Sequence, residues 1–420
     1  MTNREQSDNK FGRKAIQVEE AQARLMNYAG AMEAETVPLE QSLGRYLAES
    51  IAAPHPFPAF NRSGMDGYAV VASDTENSRD GGMVWLKVVD NIPCGAVPAG
   101  AIIPGTAARI MTGAQVPEGA DAVVMLEVTE TRDLDGIPHV GVRKPIPSGR
   151  NITPLGYELK QGEQVLAAGH KIAAGDIAVL AAFGVHDVPV IRRPRVGVFA
   201  TGSELLDVKE PLQPGKIRNS NSPMLEALVR EAGGEPVMLG AIADELELAR
   251  SKVHSALETL DLVITTGGVS VGDYDIMGDL VREEAGDMLF NKIAMRPGSV
   301  TTAAVRGGKL LLALSGNPGA CFVGFQLFAR PVIASMQGAS ESFLPEWTVV
   351  LGKDYPKVNN YFRFVRGRLE VRGGSIYAYP AAIDESSVMV TIKDSDCLII
   401  VPPEERGLSA GAKVRAIILP

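Results

Sequence analysis

The pattern of apolar and polar positions is most regular between residues 194 and 340, where short apolar runs alternate with amphipathic segments of helical length. Strands are predicted at 196–200, 236–239, 262–265, 299–305 and 309–314. Helices are predicted at about 222–232, 245–260, 276–284 and 318–336. Ser222 with Pro223, and Asn317 with Pro318, are suited to begin two of these helices. This alternation favours a parallel sheet with helices on both faces, in which ligands bind beyond the C-terminal ends of the strands.

The pattern of apolar and polar residues changes on both sides of this region. Helices are predicted at 16–32, 39–52 and 171–183, and a strand at 188–191. Short β-like runs separated by Gly, Pro and Asp are found at 68–71, 85–89, 107–111 and 122–126. Further β runs occur at 348–351, 361–371, 375–379, 397–401 and 414–419, which favour a small C-terminal barrel or sandwich.

These changes predict an α/β plus β fold with four domains. An elongated N-terminal domain takes residues 14–56 and 146–190, and a small β domain is inserted at 57–145. The α/β domain takes residues 191–340, and the C-terminal β domain takes 341–420.

Composition and charge exclude several classes of protein. The net charge of -9 disfavours nonspecific binding to nucleic acid, which needs a basic face. The three cysteines and five histidines are scattered, so neither a disulfide framework nor zinc spacing is present. The polar N-terminus lacks an apolar signal, and no run approaches the roughly 20 apolar residues that span a bilayer. These features predict a soluble, cytoplasmic protein.

Candidate chemistry is concentrated in the loop Thr265–Asp275, after the strand at 262–265. Gly267, Gly268 and Gly272 allow the backbone to approach a ligand closely, and nearby hydroxyls such as Ser270 can bond an oxyanion. Asp273 and Asp275 follow. A carboxylate pair beside a phosphate-sized pocket suggests a divalent metal that holds a phosphorylated substrate.

Other glycine-marked segments are less specific. The junctions at 200–204 and 315–319 resemble anion-binding helix N-termini, but each has an alternative interpretation as an ordinary turn. Asp66-Gly67, taken alone, is most simply a hairpin turn. Lys292 and Arg296 are cations able to meet an oxyanion, or a solvated pair. The sequence has no GxxxxGK[ST] and no GxGxxG after the first strand, so kinase and nicotinamide-enzyme interpretations lack support.

Five segments in order resemble the MoeA-type molybdopterin molybdenumtransferase family, which is related to the E domain of gephyrin. The resemblance runs from about Val18 to the C-terminus. The segments are 63–70, 109–117, 201–205, 265–275 and 316–318.

This resemblance implies an activity: insertion of molybdate into adenylylated molybdopterin, with release of AMP and a requirement for Mg²⁺. It implies catalytic roles for six residues: Asp66, Thr112, Glu204, Asp244, Asp275 and Lys292. It implies substrate contacts by Gly267, Gly268, Ser270, Gly272, Arg296, Ser315, Asn317, Pro318 and Ser386. Asp275 and Asp244 are the implied metal ligands.

The resemblance also implies an assembly. The expected form is a homodimer with a MogA-like doubly wound domain, in which the active cleft lies between that domain of one subunit and the β domain of the other. Partners of the same pathway are expected, molybdopterin adenylyltransferase among them, but neither nucleic acid nor membrane.

The chain departs from the family pattern at three places. Glu158 replaces an aspartate, Ser299 replaces a lysine of a Lys-Pro-Gly-Lys pattern, and Ser315 replaces a proline. Two alternatives therefore stay open. One is a pterin-binding or scaffold protein without turnover, and the other is a tungstate-inserting relative, since the two oxyanions have nearly the same size and charge.

Overall fold

The computed structural model describes residues 14–78, 81–242, 246–268, 287–358, 360–403 and 406–420. Within it the chain forms two compact units, the first made of Met1–Glu49, Ala168–Ile177 and Asp187–Pro420 and the second of Ser50–Ala167 and Ala178–His186. Some predictions fall outside the described residues: the helix at 276–284 and the candidates Asp244, Ser270, Gly272 and Asp275.

The α-helices are α1 (Val18–Met26), α2 (Ala174–Ala182), α3 (Asn221–Glu231), α4 (Leu246–Thr259), α5 (Pro318–Gly324) and α6 (Arg330–Met336). A π-helical turn, Phe325–Ala329, joins α5 to α6. Short 3₁₀ turns are found at Leu39–Gln41, Ala72–Ser78, Leu126–Val128 and Val390–Asp394.

The strands of the first unit are β1 (Ala34–Pro38), β12 (Asp187–Ile191), β13 (Arg195–Thr201), β14 (Leu205–Leu206), β15 (Ile217–Arg218), β16 (Glu235–Ile242), β17 (Leu262–Thr266), β18 (Asp287–Phe290), β19 (Met295–Arg296), β20 (Thr302–Arg306), β21 (Lys309–Leu314), β22 (Glu346–Leu351), β23 (Phe362–Arg372), β24 (Ser375–Pro380), β25 (Cys397–Val401) and β26 (Lys413–Ile418). The strands of the second unit are β2 (Ile51–Ala52), β3 (Arg62–Ser63), β4 (Gly67–Val70), β5 (Val84–Ile92), β6 (Thr106–Ile110), β7 (Ala122–Met125), β8 (Thr129–Leu134), β9 (Ile137–Val142), β10 (Ile152–Thr153) and β11 (Gln164–Leu166).

The α/β sheet of the first unit has the strand order β16-β13-β17-β21-β20-β18. The four strands from β16 to β21 are parallel, as predicted, but β20 and β18 run antiparallel to their neighbours. The prediction of a parallel sheet is therefore wrong at one edge. Gly307 and Gly308, both at positive φ, connect β20 directly to β21 in a tight hairpin, which requires antiparallel neighbours.

Helices cover both faces of this sheet, and the period of two along each strand explains how. Leu262 and Ile264 of β17 pack with α1, α3, α5 and α6, whereas Val263 between them packs with α4 on the opposite face. In β21, Leu312 packs on the first of these faces and Leu311 on the opposite one. Strands that are buried on both faces are expected to be continuously apolar, which is the pattern of this region.

The C-terminal strands close into a five-stranded barrel. The order β23-β24-β22-β26-β25 returns to β23, because β23 pairs with β25 over Arg363–Gly367 and with β24 over Gly367–Arg372. The predicted β runs are confirmed, and of the two predicted forms the barrel is the one observed.

The second unit contains a six-stranded sheet of order β7-β4-β6-β5-β9-β8. The four β runs predicted between 68 and 126 are confirmed as β4, β5, β6 and β7. The hairpin of β8 and β9 was not predicted from the sequence. Asp135 and Gly136 form its two-residue turn, both at positive φ.

Three local predictions are wrong. No α-helix forms among residues 39–52, which are all described, because Gly44 has a φ of 74° and Leu47 bridges to Val190 in a β pairing. The helix expected at 16–32 ends at Met26. Ser222 is not the N-cap of α3. Its amide donates instead to Oδ1 of Asn219 at 3.0 Å, so the asparagine caps the helix.

One helical segment of the described residues contradicts the expectation that no run could span a bilayer. Pro318–Met336 is long and apolar enough to cross a bilayer, but 89% of its most apolar stretch is buried within the protein. Burial of this kind is typical of a core helix, and the segment packs against the α/β sheet.

An ion pair links the segment before β13 to the start of β17. Arg192 donates from Nη1 and Nη2 to the two carboxylate oxygens of Asp261, at 2.7 and 2.9 Å, and the Arg195 amide donates to the same carboxylate at 2.7 Å. Burial opposes ionisation of Asp261, but these donors outweigh it, so its pKa lies below the ordinary value.

We expect Asp261→Asn to lower the free energy of unfolding by about 1.5–3 kcal/mol, because an amide cannot accept all three bonds. A carboxyl with a depressed native pKa stabilises fully above its unfolded pKa of about 3.9, and the contribution is lost as pH falls through the native value. The difference between variant and wild type should therefore be constant near neutral pH and vanish in acid. Urea unfolding at several pH values measures it. Glu33→Gln is the control, since Glu33 is a 69% exposed partner of Arg192 and an ion pair screened by solvent contributes little to stability. Equal effects of the two changes would contradict the prediction.

Candidate functional site

Three parallel strands of the first unit end side by side. Ala200 of β13 is in register with Thr266 of β17, which is in register with Leu314 of β21. The loops that follow the three strands therefore emerge at the same edge of the sheet. This is the position in which open α/β sheets bind ligands.

A cavity of about 570 Å³ lies among these loops. Six of the candidates from the sequence line it: Glu204, Gly267, Gly268, Ser315, Asn317 and Pro318. Its wall also includes Leu205 of β14, Ile217 and Arg218 of β15, and the start of α3. The cavity thus combines a glycine-rich backbone, hydroxyls and one arginine with a partly apolar wall.

The two glycine loops of the cavity are in direct contact. Gly267 and Gly268 have φ values of 88° and 65°, and the Gly267 amide donates to the Leu314 carbonyl at 3.1 Å. A Cβ on Gly316 would lie 3.4 Å from the Gly267 Cα. The backbone at 266–268 and 315–317 therefore forms one continuous wall.

Glu204 brings a carboxylate to this wall. Its side chain folds back over Gly202, where an added Cβ would lie 2.6 Å from Oε2. Gly202 has a φ of 145°, a backbone conformation that favours glycine, and a side chain there would displace the carboxylate. The carboxylate is exposed, so it is available to bind a cation or to accept a proton beside an anionic ligand.

The N-terminus of α5 is less open than the sequence suggests. Asn317 occupies the N-cap position, as predicted, but its side chain makes no capping bond and its Nδ2 donates to Oγ of Ser386 at 3.2 Å. The Ser386 carbonyl accepts from the amides of Gly319 and Ala320, at 2.9 and 3.3 Å. These two amides are occupied, so the segment around Ser386 caps the helix and brings Ser387 to the cavity.

A buried arginine that the sequence analysis did not identify orders the Ser386 segment. Arg366 is 2% exposed, and its guanidinium donates to the carbonyls of Val388 at 2.6 Å and Glu385 at 3.0 Å. Burial lowers its pKa from the ordinary value. A Cβ on Gly319 would lie 2.7 Å from Nη1, so the cation lies against the first turn of α5. Its position within a β run gave no sign of this role.

Asn221 was also missed, although it belongs to the cavity. It is 8% exposed, and its Nδ2 donates to Oγ1 of Thr266 at 2.7 Å and to the Gly316 carbonyl at 2.8 Å. Its Oδ1 is buried and has no hydrogen-bond partner among the described residues.

The remaining candidates of the first unit lie elsewhere. Lys292 is half-buried, and its carbonyl accepts from the Ile16 amide at 3.1 Å. Arg296 is exposed at the end of β19, which pairs with β23. Neither residue is among those that line the cavity.

Asp66 and Thr112 come together in the second unit. The amide and Oγ1 of Thr112 both donate to Oδ1 of Asp66 at 2.7 Å. The bond from the Thr112 hydroxyl, and to a smaller extent the bond from its amide, hold the pKa of Asp66 below its ordinary value. The carboxylate is exposed and ionised, with Oδ2 available to a ligand.

The interpretation of Asp66-Gly67 as a hairpin turn is wrong. β3 pairs with β10, whereas β4 pairs with β6 and β7, so the segment between β3 and β4 joins two different sheets. Glu158, one of the departures from the family pattern, accepts from Nη2 of Arg62 at 3.0 Å.

Metal-binding chemistry in the described part of the chain is limited. Among these residues no three carboxylate, histidine or cysteine groups are close enough together to hold an ion. The two implied metal ligands, Asp275 and Asp244, lie outside the described residues.

Comparisons with known proteins cover almost the whole chain. Family models match at residues 16–184 (MoeA N-terminal region, domain I and II), 197–335 (probable molybdopterin binding domain) and 348–419 (MoeA C-terminal region, domain IV). Among curated relatives, the molybdopterin molybdenumtransferase of Bacillus subtilis strain 168 is 44% identical over 97% of this chain and 95% of its own. That of Staphylococcus aureus strain Mu50 is 43% identical over 97% and 96%.

Solved structures agree in fold and extent. Two structures of the molybdopterin biosynthesis MoeA protein of Pyrococcus horikoshii superpose with TM-scores of 0.84 and 0.82, at 29% and 30% identity. They cover 96% and 97% of this chain, and 99% and 100% of their own. The chain therefore belongs to the MoeA family of molybdopterin molybdenumtransferases and is a transferase of molybdenum cofactor biosynthesis.

Proposed function

We propose that the chain transfers molybdate to adenylylated molybdopterin and releases AMP, with Mg²⁺ as the required metal. The observation that carries the proposal is the cavity at the ends of β13, β17 and β21 in a chain of this family. Hydroxyls such as that of Ser315 and the cation of Arg218 suit an anionic ligand, and the apolar wall at Leu205 and Ile217 suits a planar heterocycle.

The metal would neutralise charge that develops on the phosphate as AMP leaves. Asp275 and Asp244 remain the proposed ligands, on the basis of the family resemblance. Glu204 supports the proposal from the described part of the chain, because its exposed carboxylate lines the same cavity as the two glycine loops. Magnesium usually combines one or two carboxylates with substrate phosphates. A carboxylate beside a cavity that binds a phosphate would meet this preference.

We further propose a cytoplasmic homodimer of four-domain subunits that works with molybdopterin adenylyltransferase and other proteins of the pathway. The family resemblance supports both the assembly and the division at residues 57, 146, 191 and 341. The prediction that neither nucleic acid nor membrane is a partner also stands as part of this proposal.

The direct test is AMP release from purified adenylylated molybdopterin. We expect AMP to appear only when molybdate and Mg²⁺ are both present, and chelation of Mg²⁺ to abolish the reaction. Molybdate and tungstate are compared at equal concentration, and the ratio of their rates identifies the preferred oxyanion. Tight binding of the substrate without AMP release, at any concentration of either oxyanion, would refute turnover and favour the scaffold function that the loss of a cation at Ser299 suggests.

A mixing experiment tests the proposed shared cleft. Asp66→Asn and Asp275→Asn homodimers should each be nearly inactive. In a heterodimer purified with two affinity tags, one cleft would carry both changes and the other would be intact. We expect AMP release to return to roughly half of the wild-type rate per dimer, since one of two clefts is restored. No recovery in confirmed heterodimers would place both residues in the cleft of one subunit.

A further inference from the structure

Asn221 lies where three elements of the cavity meet. It is the first residue of α3, and its two N–H bonds reach Thr266, at the end of β17, and Gly316, after β21. One amide group thus ties a helix to both glycine loops.

The orientation of this amide follows from the chemistry of its partners. The Gly316 carbonyl can only accept, so the atom that faces it must be the Asn221 nitrogen. Thr266 Oγ1 donates its own hydrogen to the Ser315 carbonyl at 3.2 Å, so it accepts from the same nitrogen. The amide therefore donates one N–H to each of the two loops.

We propose that Asn221 is a positioning residue, which holds the two glycine loops in one register and thereby adapts the cavity to a phosphoanhydride. Two linked phosphates need donors at a fixed separation, whereas a single phosphate needs only one loop. Gly316 touches Gly267, so Gly268 on one loop and the Ser315 hydroxyl on the other keep a fixed separation in the cavity only while the loops stay together. The inference rests on the proposed function, because an adenylyl group joined to the phosphate of molybdopterin forms this anhydride.

The test compares the affinities of ADP, which contains a phosphoanhydride, and AMP, which does not. Calorimetric titration is carried out on wild type, Asn221→Ala and Asn221→Asp. We expect the ADP affinity to fall at least about tenfold more than the AMP affinity in both variants, since small displacements of binding groups cost this much or more.

Asn219→Asp is the matched control. Asn219 lies on the same cavity wall, and an aspartate there keeps the Oδ1 that caps α3 while it adds the charge of Asn221→Asp. Charge alone should weaken both nucleotides together and leave their ratio unchanged. If Asn219→Asp shifts the ratio as much as Asn221→Asp does, and Asn221→Ala leaves it unchanged, the proposal is overturned.

Hydrogen exchange gives a second measurement that needs no ligand. Peptides that span 262–268 and 311–319 should exchange faster in the Asn221 variants, whereas peptides from the C-terminal barrel should exchange as in the wild type. If Asn221→Ala does not fold, the isosteric Asn221→Asp carries both measurements. Unchanged exchange together with an unchanged nucleotide ratio overturns the proposal.

The outcomes separate this inference from the proposed function. The binding of ADP and AMP requires no turnover. A fall in the affinity for ADP relative to AMP therefore supports the positioning role of Asn221 even if the wild type releases no AMP. Conversely, normal AMP release together with an unchanged ratio of ADP to AMP affinity in the Asn221 variants overturns the positioning role and leaves the proposed function intact.

Discussion

Asp66→Asn should lower Mg²⁺-dependent AMP release by about 10²–10³-fold, the usual effect of removing a group that stabilises charge in a transition state. Asparagine keeps an Oδ1 that accepts both bonds from Thr112, so the local structure should be unchanged. What is lost is the negative charge and the acceptor at Oδ2. We therefore expect kcat to fall while the unfolding temperature stays that of the wild type.

Thr112 provides a graded version of this experiment. Its hydroxyl is the main cause of the lowered pKa of Asp66, so Thr112→Val should move that pKa back up. A higher pKa means that Asp66 becomes protonated at a higher pH, and the acid limb of the rate profile should shift upward. Thr112→Ser keeps the hydroxyl and should leave the profile in place. Wild-type turnover by Asp66→Asn would remove Asp66 from the mechanism.

The central strands of the α/β region were predictable because they are apolar along most of their length. Leu262, Val263 and Ile264 are all buried, two on one face of the sheet and one on the other. Such runs identify strands without knowledge of any contact, but they did not reveal that β20 runs antiparallel to β21. The convergence of three strand ends follows from the same pattern, which is why six candidates were found in one cavity.

Predictions failed where non-local pairing or turn geometry decides the structure. Residues 39–52 have a suitable composition for a helix, but the β bridges of Tyr46 to Lys171 and Leu47 to Val190 override it. The hairpin of β8 and β9 did carry a local signal, the Asp135-Gly136 pair, which is typical of a two-residue turn.

The missed residues of the site share a different property. Arg366 and Asn221 act through hydrogen bonds to backbone carbonyls of distant segments, at Val388 and Gly316. Such bonds depend on the tertiary path of the chain, not on a motif of fixed spacing. A buried polar residue of this kind is evident only once the structure gives its exposure and its partners.

Gly267→Ala should have the largest effect on stability of any change in the cavity. An added Cβ would lie 2.4 Å from the Thr201 carbonyl oxygen and 2.8 Å from its Oγ1, and the backbone φ of 88° is itself unfavourable for alanine. The carbonyl belongs to β13 in the middle of the sheet, so it cannot move away easily. The left-handed conformation and the overpacking together should cost about 2–5 kcal/mol.

Gly316→Ala separates the strained position from a merely crowded one. Its Cβ would meet the Gly267 Cα at 3.4 Å, which is ordinary van der Waals contact, and its φ is not in the left-handed region. We expect thermal unfolding of the Gly316→Ala variant near the wild-type midpoint, and a clearly lower midpoint for Gly267→Ala. ADP binding should be lost in Gly267→Ala even below its unfolding temperature, because relief of the clash moves the loop from the cavity wall. Equal stability of the two variants would show that the loop at 267 is free to adjust and does not hold a fixed cradle.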